Sequence, residues 1–119
     1  MPGKHFDLNF LKENTQDDPV LMAELIAIFL ETTPAMIEEM ERSYMAKDWN
    51  SLRKVAHKLK SNLYTLGIEE LSQPIVKVER FAGEMVHIEE IGFIVEKIRR
   101  ITHFASKELE LELEMLKKH

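Results

Sequence analysis

No cysteine occurs in the 119 residues. This excludes disulfides, thiolate metal sites and a cysteine nucleophile, and it suits a reducing compartment. Glycine and proline are scarce, with four of each, and strongly β-type runs are few. The chain therefore favours helices over strands joined by tight turns. No apolar run is expected to reach the ~18 residues that a membrane span needs. The start, Met1-Pro2-Gly3-Lys4-His5, lacks the apolar region of a signal peptide. A glycine-rich phosphate loop is missing, as is room for an ATP-binding domain. Positive charge is not in excess either. The formal net charge is -5 and the pI is near 5.5, whereas a nucleic-acid binder would be basic overall. The expectation is a cytoplasmic protein with neither nucleic acid nor membrane as partner.

Hydrophobic residues make up 45% and charged residues 31%, which reads as one soluble domain over residues 1–119. Phe6 to Asn14 is expected to form a short helix with Asp7 as its cap. Asp17 or Asp18 caps the next helix, with Pro19 early in it and Leu21, Leu25, Ile28 and Phe29 at helical spacing. Thr33-Pro34 reads as a stop and a fresh start, followed by Ile37, Met40 and Tyr44 on one side and methionines that fill the core. Asp48 caps a helix over about 49–66, beside a wedging Trp49, and Gly67 ends it in a left-handed conformation. Leu71, Ile75, Val78, Ala82 and Met85 mark the helix after that, with Pro74 awkward just past its first turn. From about Glu89, Ile91, Ile94, Ile98, Ile101, Ala105, Leu109, Leu113 and Leu116 recur by threes and fours. The alternating Leu/Glu run at 108–114 fits the same helix, since both residues are strong helix formers. The predicted fold is all-α: an antiparallel up-and-down four-helix bundle with short additional N-terminal helices.

The 49–66 helix carries the most information. At about 100° per residue, Leu52, Val55, Ala56, Leu63 and Leu66 fall within roughly 60° of Leu59, forming one apolar face. His57 falls roughly 160° away, among Arg53, Lys54, Lys60, Ser61 and Tyr64, with Lys58 at the flank. Between Trp49 and Ile68 there are four basic residues and no acidic one. An acidic protein thus presents a lone, outward histidine in a basic collar, suited to an acidic partner or a phosphoryl group.

The run Ala56-His57-Lys58-Leu59-Lys60-Ser61, with Gly67 ten positions after the histidine, resembles the signature of histidine-containing phosphotransfer (HPt) domains. The turn Ala46-Lys47-Asp48-Trp49-Asn50-Ser51-Leu52 and the later Leu71, Ile75, Val78 and Glu79 are similar to the family as well. The resemblance implies a phosphoprotein of two-component signalling. His57 would be the nucleophile that accepts phosphate from a receiver-domain aspartate, through Nε2, and passes it to another receiver. Imidazole suits this role, with an ordinary pKa near 6.5. Lys60, one turn on, is the expected stabiliser of the phosphoryl group. Arg53, Lys54, Lys58, Ser61 and Tyr64 are the expected partner contacts, and Gly67 is structural. The family more often has glycine where Ser61 stands, and a small or polar residue where Tyr64 stands. The implied partners are response-regulator receiver domains and a hybrid sensor kinase. No metal or cofactor is expected on this chain, because Mg²⁺ and the acidic pocket belong to the receiver.

Two other classes stand beside this reading. One is a non-catalytic helical adaptor that binds a receiver without phosphotransfer. The other is the dimerisation and phosphotransfer part of a histidine kinase, but no ATP-dependent kinase activity is expected of this chain. Glu79 reads as a solvated or bundle-edge carboxylate, and no acid is expected around His57. His5, His87, His103 and His119 show no comparable setting, and none forms an i, i+4 zinc pair. The C-terminal Leu/Glu segment could mediate dimerisation, yet ordinary helix packing is the larger expectation, and a monomer is expected.

Overall fold

Capping carboxylates set where the two central helices of this chain begin. In the computed structural model, which describes residues 5–118, five α-helices account for nearly all regular structure: α1 (Asn9–Thr15), α2 (Pro19–Met45), α3 (Trp49–Thr65), α4 (Ser72–Glu84) and α5 (Ile88–Lys117). A single 3₁₀ turn, Glu69–Leu71, leads into α4. Among the described residues there is no strand. Asp18 accepts hydrogen bonds from the Val20 and Leu21 amides ahead of Pro19, the first residue of α2. Asp48 does the same for α3, accepting from the Ser51 amide at 3.2 Å and the Ser51 hydroxyl at 2.8 Å. Asp7 accepts from the Asn9 amide at 2.9 Å but is not the expected cap, since Leu8 holds that position and α1 begins at Asn9, three residues later than the expected Phe6.

With so few glycines, other residues take the left-handed corners: Gln16, Asp17, Lys47, Met85 and His87 all have positive φ. Gly67, at φ +64°, fills a position no other residue could. A Cβ there would lie 2.0 Å from the Asp7 carbonyl oxygen. That close approach lets the Asp7 amide donate to the Leu66 carbonyl at 3.3 Å and ties the N-terminal segment across the end of α3.

Four details of the sequence reading change. First, Thr33-Pro34 does not end a helix; α2 runs through it unbroken for 27 residues. Pro34 is exposed, while Thr33 is buried with its hydroxyl unbonded instead of capping. Core burial of Phe29, Thr33, Ile37 and Met40 on one continuous stripe outweighs the local break. The expected several short N-terminal helices thus reduce to α1. The undivided α2 is also long and apolar enough, by length and composition alone, to cross a membrane, with a mean hydropathy of 1.7 over its most apolar 18 residues. The expected break conceals this in the sequence. Second, the inward face of α2 is Met22, Ile26 and Phe29, while Leu21 and Ile28 face out. Third, Pro74 is the third residue of α4, where its missing amide has no helical acceptor to lose. Fourth, the methionines divide: Met22 and Met40 are buried, whereas Met45, Met85 and Met115 are exposed, and Met85 lies outside α4 as its left-handed cap.

Packing closes the longer helices into a ring: α2 on α3, α3 on α4, α4 on α5 and α5 on α2, with α1 against α2. Leu52, Leu59, Ile75, Ile91, Ile98 and Leu109 are among the fully buried side chains that fill it. At one end Tyr44 lies on Gly92, where a Cβ would sit 2.6 Å from its hydroxyl. Tyr44 donates to the Ile88 carbonyl at 3.3 Å, with Trp49 edge-on at 6.0 Å. The Leu/Glu run is helical, as its flanking period requires, and Leu109 is buried.

Candidate functional site

The site is a ladder between α3 and α4. Burial of Leu52, Val55, Ala56, Leu59 and Leu63 fixes the rotation of α3, and burial of Ile75, Val78, Phe81 and Ala82 fixes that of α4. Once both are fixed, the flanking positions of the two helices meet. A Cβ on Gly83 would lie 3.0 Å from the Arg53 Cδ, so the arginine stem lies over α4 at that point. One turn further along α3, the His57 Nδ1–H donates to Glu79 Oε2 at 2.7 Å. Lys60 Nζ donates to the other oxygen, Oε1, at 2.8 Å.

His57 is where the wheel puts it, with two thirds of its side chain exposed (67%). Its electrostatic setting differs from the expectation. A carboxylate does stand at the ring, and Glu79, read as a bundle-edge group, is that carboxylate, with its side chain 21% exposed. The sequence carries a signal for it. Glu79 follows Val78 on the flank of the apolar stripe of α4, and it is one of the residues that carry the family resemblance. Its carboxyl is held below the ordinary value of 4.5, first by the Lys60 hydrogen bond; partial burial opposes this, and the His57 bond adds to it. A carboxylate can only accept, so the Nδ1 position carries a proton. When the ring is neutral, the lone pair is therefore on Nε2.

The remaining predicted residues divide between the ladder and its surroundings. Arg53 Nη2 donates to Asn50 Oδ1 at 3.4 Å. Lys54, Lys58 and Ser61 are exposed on α3. Tyr64 is exposed but not loose, since its ring meets Phe10 of α1 edge-on at 4.9 Å. Between that pair and α4 is a cavity of about 400 Å³, lined by Lys60, Leu63, Phe10, Ile75 and Val76 among others. The sequence reading has no role for Phe10, because only the folded chain brings α1 to this helix. Gly67 forms the corner described above.

Of the other histidines, His5 also meets a carboxylate, Glu108 Oε1 at 2.7 Å from Nδ1, with Phe104 stacked on its ring. Its side chain is only half as exposed as that of His57. His87 packs on Phe81 and His103 on Phe104. His119 and the stretch Met1–Lys4 lie outside the described residues.

Comparison with known proteins gives one match: the family model described as Hpt domain covers residues 24–119. No curated protein and no solved structure matches the chain.

Proposed function

The chain belongs to the Hpt domain family, whose members take part in histidine phosphotransfer in phosphorelays, and on that premise we propose that His57 is its phosphoacceptor. Nε2 attacks the phosphorus of a receiver's aspartyl phosphate. The N–P bond forms as the acyl P–O bond breaks, and the aspartate leaves as a carboxylate. The reverse step delivers the group to a second receiver. Glu79 holds the proton on Nδ1, which keeps the Nε2 lone pair available and orients the ring. Lys60 stands within one turn to meet the phosphoryl oxygens. Arg53, Lys54 and Lys58 steer the partner's acidic pocket, which brings its own Mg²⁺, and Ser61 leaves room at i+4. Tyr64 contacts the partner. Transfer of this kind is mostly positioning and charge neutralisation, so the chain needs no ATP site and acts as a carrier in the cytoplasm. Its four longer helices run up and down around the core.

The observation that carries this reading is the exposed imidazole with Nδ1 tied to Glu79. The test is incubation with a phosphorylated receiver, with and without His57→Gln. Acid-labile label is expected on the native chain and absent from the variant. Label on His57→Gln would remove His57 from the mechanism, and receiver binding without any label would leave the adaptor in its place.

A further inference from the structure

Apart from His5, which stacks on Phe104 and bonds Glu108, the bundle leaves the outer side of α5 uncovered. Leu109 is fully buried. At 100° per residue, Arg100, Phe104, Lys107, Leu111, Glu114 and Met115 all fall within roughly 60° of the opposite direction. The apolar members of that stripe lie in solvent: Phe104 is 48% exposed, Leu111 70% and Met115 60%. Leu113 and Leu116, on the other side of the same turns, pack back on the core. The Leu/Glu run therefore has two apolar edges, and the bundle covers only one of them.

Between Glu96 and Lys117 of this helix, charge is segregated. Residues 97–107 carry Lys97, Arg99, Arg100 and Lys107 and no acid, whereas 108–114 carry four glutamates and no base. Two copies side by side in the same direction would set base on base and acid on acid. Arg99 is paired with Glu96 of its own helix, but two copies in opposite directions, related by a dyad near Lys107 and Glu108, set Arg100 and Lys107 of each beside the other's glutamates at 108–114. The same register brings Phe104 of each copy to Leu111 of the other. An isologous contact of this kind is self-complementary and closed.

We infer that the outer face of α5 is a homodimer interface, in which a second copy of this chain packs antiparallel along residues 100–115. The expectation of a monomer gave ordinary helix packing of the Leu/Glu run the larger weight over dimerisation, and Leu111 and Met115 lie outside the bundle. Because α3 stands across the ring from α5, the dimer leaves both His57 side chains open, so the inference stands or falls independently of the phosphotransfer chemistry. The contact depends on exposed ion pairs around a small apolar centre, so it weakens as salt rises.

Sedimentation equilibrium on the full chain, on Arg100→Glu, on Glu114→Arg and on an equal mixture of the two variants tests it. Both sites are exposed, and circular dichroism checks that each variant stays helical. The native chain is expected to dimerise reversibly, and each variant alone to dimerise about tenfold more weakly, since like charges now face each other twice. The mixture is expected to recover the native association. At one end of the mixed dimer the two introduced charges, opposite in sign, face each other, and at the other end the native Arg100 and Glu114 meet. A native chain that stays monomeric up to about 0.5 mM, a dimer indifferent to both substitutions, or a mixture that fails to recover would each overturn the inference.

Discussion

Replacing Glu79 with glutamine keeps the shape of the side chain and removes one of its two acceptors. In the native site Oε2 takes the His57 Nδ1–H at 2.7 Å and Oε1 takes Lys60 at 2.8 Å. The amide of Glu79→Gln has a single acceptor oxygen for these two donors. Lys60 carries a full charge and takes it, which turns the amide NH₂ toward Nδ1. An NH₂ group there favours the tautomer with its proton on Nε2, and the lone pair that attacks in the proposed transfer is lost. A hydrogen bond to a charged group is worth about 1.5–3 kcal/mol, and solvent at the ring selects the lower end. About 1.4 kcal/mol is tenfold, so transfer from a phosphorylated receiver is expected to slow by about tenfold, with receiver affinity little changed. Nitrogen-resolved NMR of the His57 ring reads the tautomer directly, and single-turnover transfer reads the rate. If the ring stays protonated at Nδ1 and the rate is unchanged, the glutamate is not holding the ring and the reasoning fails.

Four further outcomes follow from the fold. Gly67→Ala places a Cβ 2.0 Å from the Asp7 carbonyl at positive φ, so stability is expected to fall by about 2 kcal/mol or more; at about 4 °C per kcal/mol the loss shows in thermal melting. Thr33→Val removes a buried hydroxyl that has no partner and should raise stability by about 1 kcal/mol in urea titration. Pro34→Ala, at an exposed position inside α2, relieves about 3 kcal/mol of helix penalty against about 1 kcal/mol of restriction lost from the unfolded chain, and a net gain is expected in the same assay. Glu79 and Asp48 both have carboxyls held below their ordinary values, 4.5 and 3.8, so their contribution to stability is complete above those values and is lost as pH falls through the lowered ones. Acid titration of Glu79→Gln should lack the Glu79 part of that loss.

Much of this molecule is legible in the sequence because burial follows periodicity. Leu52, Val55, Ala56, Leu59 and Leu63 fix the rotation of α3, and they alone dictate that His57 faces water. Asp18, Asp48 and Gly67 are equally direct, since each answers a local demand of one helix end. Pro34 misleads for the opposite reason: its local signal is a break, and the stripe of buried residues on either side overrides it. The role of Glu79 is hard to read because it depends on a second helix. Nothing in residues 69–84 alone says which flank of α4 will face which flank of α3, and the pairing becomes visible only when both cores are in register. Phe10 lies further still from the sequence signal. Its partner Tyr64 is 54 positions away, and no period links them.

If His57 carries the phosphoryl group as proposed, the same register explains how a site with a positive collar avoids trapping it. Lys60 is not a spare cation at rest, because it is paired with Glu79. A phosphoryl group arriving at Nε2 gains Lys60 only by drawing it from that carboxylate, so one charge-assisted hydrogen bond replaces another and the net gain is small. Lys54 and Lys58 are exposed, and exposed charges steer an encounter more than they hold a product. On the proposed role of His57, the nucleophile is therefore prepared by Glu79 while the product is held only loosely by the cations, and both follow from one carboxylate placed between the histidine and the lysine. A carrier that must give up its group to a second partner requires that balance. A lysine without the glutamate would favour retention over transfer.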